Sequence, residues 1–118
     1  MQRASQSVPN REHVTLAQQF ASLEFDFGSK ERGRTIFETL ISKHPKKLDL
    51  WYVLIDREVK VGSIANATAL YKRVTARSNW SEKQMKGIFK RWYKFAENNG
   101  GDVEDVKKRA VAFVESRS

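Results

Sequence analysis

The chain has 118 residues, 40% of them hydrophobic, with 22 basic against 14 acidic side chains and a formal charge of +8. This length suits a single domain with a real core; the absence of Cys excludes disulfides, thiol nucleophiles and Cys-based zinc sites, and His13 and His44 are too few for an all-histidine metal cluster. No run of about 18 apolar residues exists, and MQRASQSVPN lacks the apolar centre of a secretory signal. The expectation is therefore a soluble intracellular protein with no membrane partner, whose pI near 9.9 suits an acidic partner, RNA or DNA first.

Residues 1–11 show no period and read as a flexible tail. From 12 to 27 one apolar stripe runs through Leu16, Phe20, Leu23 and Phe27 and another through Val14, Ala17, Ala21 and Phe25, so this helix needs cover on two sides. Gly28 stops it, Ser29 is a candidate N-cap, and a second helix follows over 30–43 with Ile36, Phe37, Leu40 and Ile41 on one face. Pro45 separates this pair from a helix over 48–61, where Leu50, Trp51, Val53, Leu54, Ile55, Val59 and Val61 spread widely around the axis. Gly62 and Ser63 lead into 64–77, whose stripe is Ile64, Ala67, Leu70, Tyr71 and Val74. Ser78 to Ser81 forms the next break, and Ser81 with Glu82 looks like a helix start for 82–99. Gly101 and Asp102 then open a last helix over 102–116, striped by Val103, Val106, Ala110, Phe113 and Val114.

One pattern recurs at spacings of 34 and 39 residues: Glu24 to Gly28, Glu58 to Gly62 and Glu97 to Gly101, each with Phe20, Leu54 or Tyr93 four positions before the Glu. The reading is a helix, a glycine able to adopt the left-handed conformation, and a second antiparallel helix. Such pairs cannot bury their faces alone, so the expected fold class is all-α, three antiparallel helix pairs stacked as a solenoid in one domain over 12–117, with repeats at about 12–44, 46–78 and 81–117. Trp51 and Phe37 are large enough to be core residues.

The segment Trp51-x-x-Leu54-x-x-x-Glu58, followed by ALYKRV at 69–74, resembles the HAT (half-a-TPR) repeat. In the outer pairs the matching positions are Ala17, Phe20 and Glu24 with RTIFETLI at 34–41, and Lys90, Tyr93 and Glu97 with KKRAVAFV at 107–114, so the first-helix tryptophan is missing twice. The longer stretch FGSKERGRTIFETLISKHPKKLDLWYVLIDREVKVG, with FKRWYKFAENNG and VKKRAVAFVESR, is similar to the C-terminal HAT region of the ribosomal RNA-processing protein five family, over roughly residues 16–117. That resemblance implies a right-handed TPR/HAT-like solenoid within a large nucleolar protein that takes part in pre-rRNA processing, chiefly for the small subunit. It implies pre-ribosomal proteins and small-nucleolar-RNP components as partners, with pre-rRNA a further candidate. HAT arrays also occur in mRNA splicing and 3′-end processing complexes, which leaves a docking or dimerisation module of that kind as the alternative.

Lys83, Lys86, Lys90 and Lys94, flanked by Arg91, recur opposite Met85, Ile88, Phe89, Trp92 and Ala96. They form a candidate RNA-binding ridge that would neutralise phosphates without reading bases; the same pattern also fits a solubilising face of an amphipathic helix. Lys43, Lys46 and Lys47 cluster in a turn, and Lys72, Arg73 and Arg77 end a helix, where cations are favoured in any case. Glu24, Glu58 and Glu97, recurring once per pair, are expected to make the same inter-helix bond in each rather than to act as acids or bases. No nucleophile motif, phosphate loop or metal-ligand spacing is visible, so neither catalysis, a cofactor nor a small-molecule substrate is expected.

Overall fold

The computed structural model describes residues 10–77 and 79–117. Among them lie six helices and no strand: α1 (Asn10–Phe27), α2 (Lys30–Lys43), α3 (Leu48–Lys60), α4 (Ile64–Ala76), α5 (Glu82–Asn98) and α6 (Val103–Arg117). The fold is all-α and built from helix pairs of the TPR/HAT kind. The helix expected from residue 12 already begins at Asn10, inside the stretch read as a tail; residues 1–9 of that stretch lie outside the described residues. The other helix ends fall within a residue or so of those the periodicity predicts. By their contacts the helices form two compact units, α1 to α3 ending at Gly62 and α4 to α6 from Ser63 onward.

In the first unit α2 runs back along α1. Gly33 permits the close approach: a Cβ there would stand 2.7 Å from the Phe25 ring and 2.8 Å from the Ala21 carbonyl. Val14, Ala21 and Phe25 of α1 meet Phe37, Leu40 and Ile41 of α2 in the core, with the Phe25 and Phe37 rings 6.1 Å apart. Helix α3 touches both α1 and α2 and buries Leu50, Trp51, Leu54 and Ile55. Ser29 caps α2 by accepting the Arg32 N–H at 3.1 Å, while its own N–H donates to the Glu24 carboxylate at 3.0 Å.

The second unit is held by aromatic packing. Tyr71 of α4 stacks on Trp92 of α5 with centroids 5.7 Å apart and planes at 3°, and also meets Phe95 at 5.3 Å. Phe89 links Trp92 at 6.2 Å to Phe113 of α6 at 6.1 Å. Ser81 and Gln84 make the reciprocal capping box that starts α5. At its other end Gly100, at φ +69°, allows Gly101 N–H to reach the Ala96 carbonyl at 2.7 Å.

The three glycine turns differ in length. Gly28 and Ser29 join α1 to α2, Val61 to Ser63 join α3 to α4, and Asn99 to Asp102 join α5 to α6. Left-handed glycines occur at Gly62 (φ +84°) and Gly100, not at the expected Gly28 and Gly101. The two-residue link between α1 and α2 is too short for a left-handed closing turn, and the longer third link moves that role one residue earlier than Gly101. At Gly28 a Cβ would instead strike the Glu24 carboxylate that receives the Ser29 N–H.

Candidate protein and nucleic-acid interface

The recurring glutamates do three different things. Glu58 is only 2% exposed. Its carboxylate accepts two hydrogen bonds from the Arg34 guanidinium of α2, Nε to Oε2 at 2.7 Å and Nη2 to Oε1 at 2.9 Å. This hydrogen-bonded carboxylate raises the Arg34 pKa further, against the opposing effect of burial. Arg34 also lies over the Phe25 ring, 5.5 Å from its centroid. Glu24 serves the α1–α2 turn, and Glu97 is exposed on the last turn of α5. The expectation of one shared bond therefore does not hold, because the unequal turns place the same motif at different heights on its helix.

Matching α1 and α5 by their last residues, Phe27 and Asn98, aligns burial. Buried Met85, Trp92 and Ala96 then fall opposite buried Val14, Ala21 and Phe25. Matching by Glu24 and Glu97 instead sets Trp92 opposite Gln19, which is exposed. Phe20 was placed among the repeat positions on the second register, and it is 57% exposed, in line with Leu16, Leu23 and Phe27 on the open face of α1. Phe37, Trp51, Leu54 and Tyr71 are buried, and Tyr93 is half-buried.

Lys83, Lys86, Lys90, Arg91 and Lys94 are all exposed along α5. They do not stand on a uniformly polar surface. Lys86 and Lys90 edge a groove of about 310 Å³ between α5 and α6, with Lys107 on its other rim and Phe89, Tyr93, Val106, Ala110, Phe113 and Val114 as its apolar lining. The Lys107 ammonium lies 5.8 Å from the centre of the Tyr93 ring. Lys83, Arg91 and Lys94 lie outside that lining. Elsewhere, Lys43, Lys46, Lys47, Lys72 and Arg73 are exposed, Arg77 is half-buried, His13 is exposed and His44 half-buried. Among the described residues no three His, Asp or Glu side chains cluster as a metal site, and no helix is long and apolar enough to cross a membrane.

Opposite the groove, Arg109 of α6 covers Trp92, 5.6 Å from its centroid, and donates to Asp105 at 2.8 Å. That hydrogen bond holds the Asp105 carboxyl below the usual carboxylate range; partial desolvation opposes it, and the charges of Arg109, Lys72 and Lys108 reinforce it. Two features escaped the periodicity. Trp80, in the segment read as a separator, is buried and donates its indole N–H to the Val74 carbonyl at 2.9 Å. A large apolar residue just before the Ser81 cap, with Met85 at the fourth helical position, is the hydrophobic-staple signal that marks it. Arg34 has no local signal, because its partner lies in another helix.

No protein-family model matches the chain. Individual relatives do. It is 47% identical to the rRNA biogenesis protein rrp5 of Schizosaccharomyces pombe over 97% of this chain and 7% of that protein. It is 39% identical to the Protein RRP5 homolog of Homo sapiens over 100% of this chain and 6% of that one. To the rRNA biogenesis protein RRP5 of Arabidopsis thaliana it is 34% identical over 97% of this chain, again 6% of the relative. The chain thus spans less than a tenth of the length of the relatives it matches. Aligned along essentially its whole length with one stretch of these long proteins, the chain belongs to the RRP5 family as a region of such a protein.

Proposed function

We propose that this region is a non-catalytic docking scaffold within a nucleolar rRNA biogenesis factor, supporting pre-rRNA processing and small-subunit assembly by binding pre-ribosomal proteins and small-nucleolar-RNP components. The observation that carries the reading is end-to-end similarity to proteins named for rRNA biogenesis. Those names favour it over a splicing or 3′-end processing module. Two further observations support it: Glu24 serves a turn and Glu58 pairs with arginine, and what faces outward is helical surface suited to binding. In this proposal residues 12–117 act as one domain. The test is deletion of the region from the parent protein followed by measurement of small-subunit pre-rRNA intermediates. Their accumulation is expected, and normal processing refutes the scaffold.

A second reading, RNA contact, is favoured by the exposure of Lys83, Lys86, Lys90, Arg91 and Lys94 on one helix. Phosphate neutralisation there predicts that Lys86→Glu combined with Lys90→Glu weakens binding to a pre-rRNA segment and reduces its salt dependence by about one charge per lost contact. RNA binding that keeps its affinity and salt slope removes this role.

A further inference from the structure

Counted from the first residues of their helices, Lys30 and Val103, Arg34 of α2 corresponds to Lys107 of α6, Phe37 to Ala110, Leu40 to Phe113 and Ile41 to Val114. In the first unit this face of α2 is covered. Phe37, Leu40 and Ile41 are buried, α3 rests on both α1 and α2, and Arg34 reaches across to the Glu58 carboxylate of α3. The same positions of α6 are open: Ala110 and Phe113 are half-buried, and Val114 is 59% exposed. They line the groove beside Phe89 and Tyr93, and Lys86, Lys90 and Lys107 stand at its edges.

We propose that the α5–α6 groove docks an acidic amphipathic helix of a partner protein, seated as α3 is seated on α1 and α2. The inference deepens the scaffold reading and rests on it. The shape argument comes from the first unit, where the corresponding groove is filled by a helix. The charge argument comes from the rim: three lysines around an apolar floor attract a ligand that brings both carboxylates and aliphatic side chains. A phosphodiester chain would satisfy the lysines and leave Phe113 and Val114 facing water. Lys107 plays the part of Arg34, meeting a carboxylate on the incoming helix.

The test uses the whole chain and a fluorescent helical peptide about four turns long, with leucines along one face and glutamates on both flanks. Fluorescence anisotropy should show saturable binding, weakened at least about tenfold by Val114→Asp and by Lys107→Glu. Both positions are exposed, and unchanged circular dichroism melts would show that neither variant unfolds the chain. Reversing all three rim lysines, Lys86→Glu, Lys90→Glu and Lys107→Glu together, should in turn prefer a peptide whose flanking glutamates are replaced by lysine. Absence of saturable binding overturns the proposal, as does binding that neither variant alters. A polyuridylate strand that displaces the peptide from both parent and Val114→Asp chains also overturns it, in favour of a phosphate ridge. Self-association abolished by Val114→Asp, without peptide binding, overturns it in favour of a second copy. Failure here leaves the pre-rRNA processing test untouched, whereas normal processing after deletion removes the scaffold reading whatever the titration shows.

Discussion

Replacing Arg34 by Met tests what the buried ion pair does for the first unit. Glu58 is almost wholly enclosed, and both its oxygens are held by one guanidinium at 2.7 and 2.9 Å. Removing that guanidinium takes away the charge that balances an enclosed carboxylate, which costs about 3–5 kcal/mol. Losing the contact with the Phe25 ring adds about 0.5–1 kcal/mol. Glu58→Met should cost less, because the Arg34 side chain is 29% exposed and its freed charge can be hydrated. The double replacement by Met should cost least, about 1 kcal/mol or below, since both charges are gone and the volume is kept. Urea denaturation followed by circular dichroism measures all three, and Arg34→Met should lower the melting temperature by roughly 15–25 °C. A cost under about 1 kcal/mol for Arg34→Met would refute the argument, because that is what an exposed pair contributes. A Glu58→Met penalty larger than that of Arg34→Met would refute it equally.

Gly33→Ala should destabilise by about 1–3 kcal/mol through the clash with Phe25 and the Ala21 carbonyl, whereas Gly100→Ala, with open space around it, should cost only the backbone strain of about 1–2 kcal/mol; equal urea midpoints for Gly33→Ala and the parent would contradict the close helix approach. Changing Leu16, Phe20 and Leu23 to Gln should alter stability in urea denaturation by about 0.5 kcal/mol or less per site, since each is more than half exposed; a collapse of stability would mean that this face is core. Asp105 has a lowered folded pKa, so its contribution to α6 is present above the usual carboxylate range and is lost as pH falls through that lowered value. Asp105→Asn should flatten the acid limb of the α6 amide-shift titration, and an unchanged limb would show that the Arg109 bond is not populated.

Most of the architecture could be read from periodicity because apolar stripes mark the helices and side-chain caps mark some of their starts. Ser29 and Ser81 sit before apolar stripes and do cap, and Trp51, Leu54 and Phe37 fall on stripes and are buried. What periodicity misjudged depends on turns. The Glu-x-x-x-Gly motif looks like one structural unit, yet the glycine closing α3 is left-handed, the one after α1 is not, and in the third turn the role passes to Gly100. The apolar face of α1 with Phe20 could be seen as a stripe, but nothing in spacing tells whether a stripe is covered. The lysines of α5 were legible as a basic face. The apolar floor beside Lys86 and Lys90 was not, since it requires Val106, Phe113 and Val114 to be brought alongside Phe89 and Tyr93 by α6.

The unequal turns mean that the helix pairs are not interchangeable parts. Transplanting α5 in place of α1 by overlaying Glu97 on Glu24 shifts the donor by two residues, since the burial register overlays Asn98 on Phe27. At about 100° per residue, such a graft would swing Trp92 from the interior toward solvent. A recombination event or a consensus design that aligned the repeats on their most visible motif would deliver a helix of the right length facing the wrong way. Each first helix can be exchanged only together with its own turn.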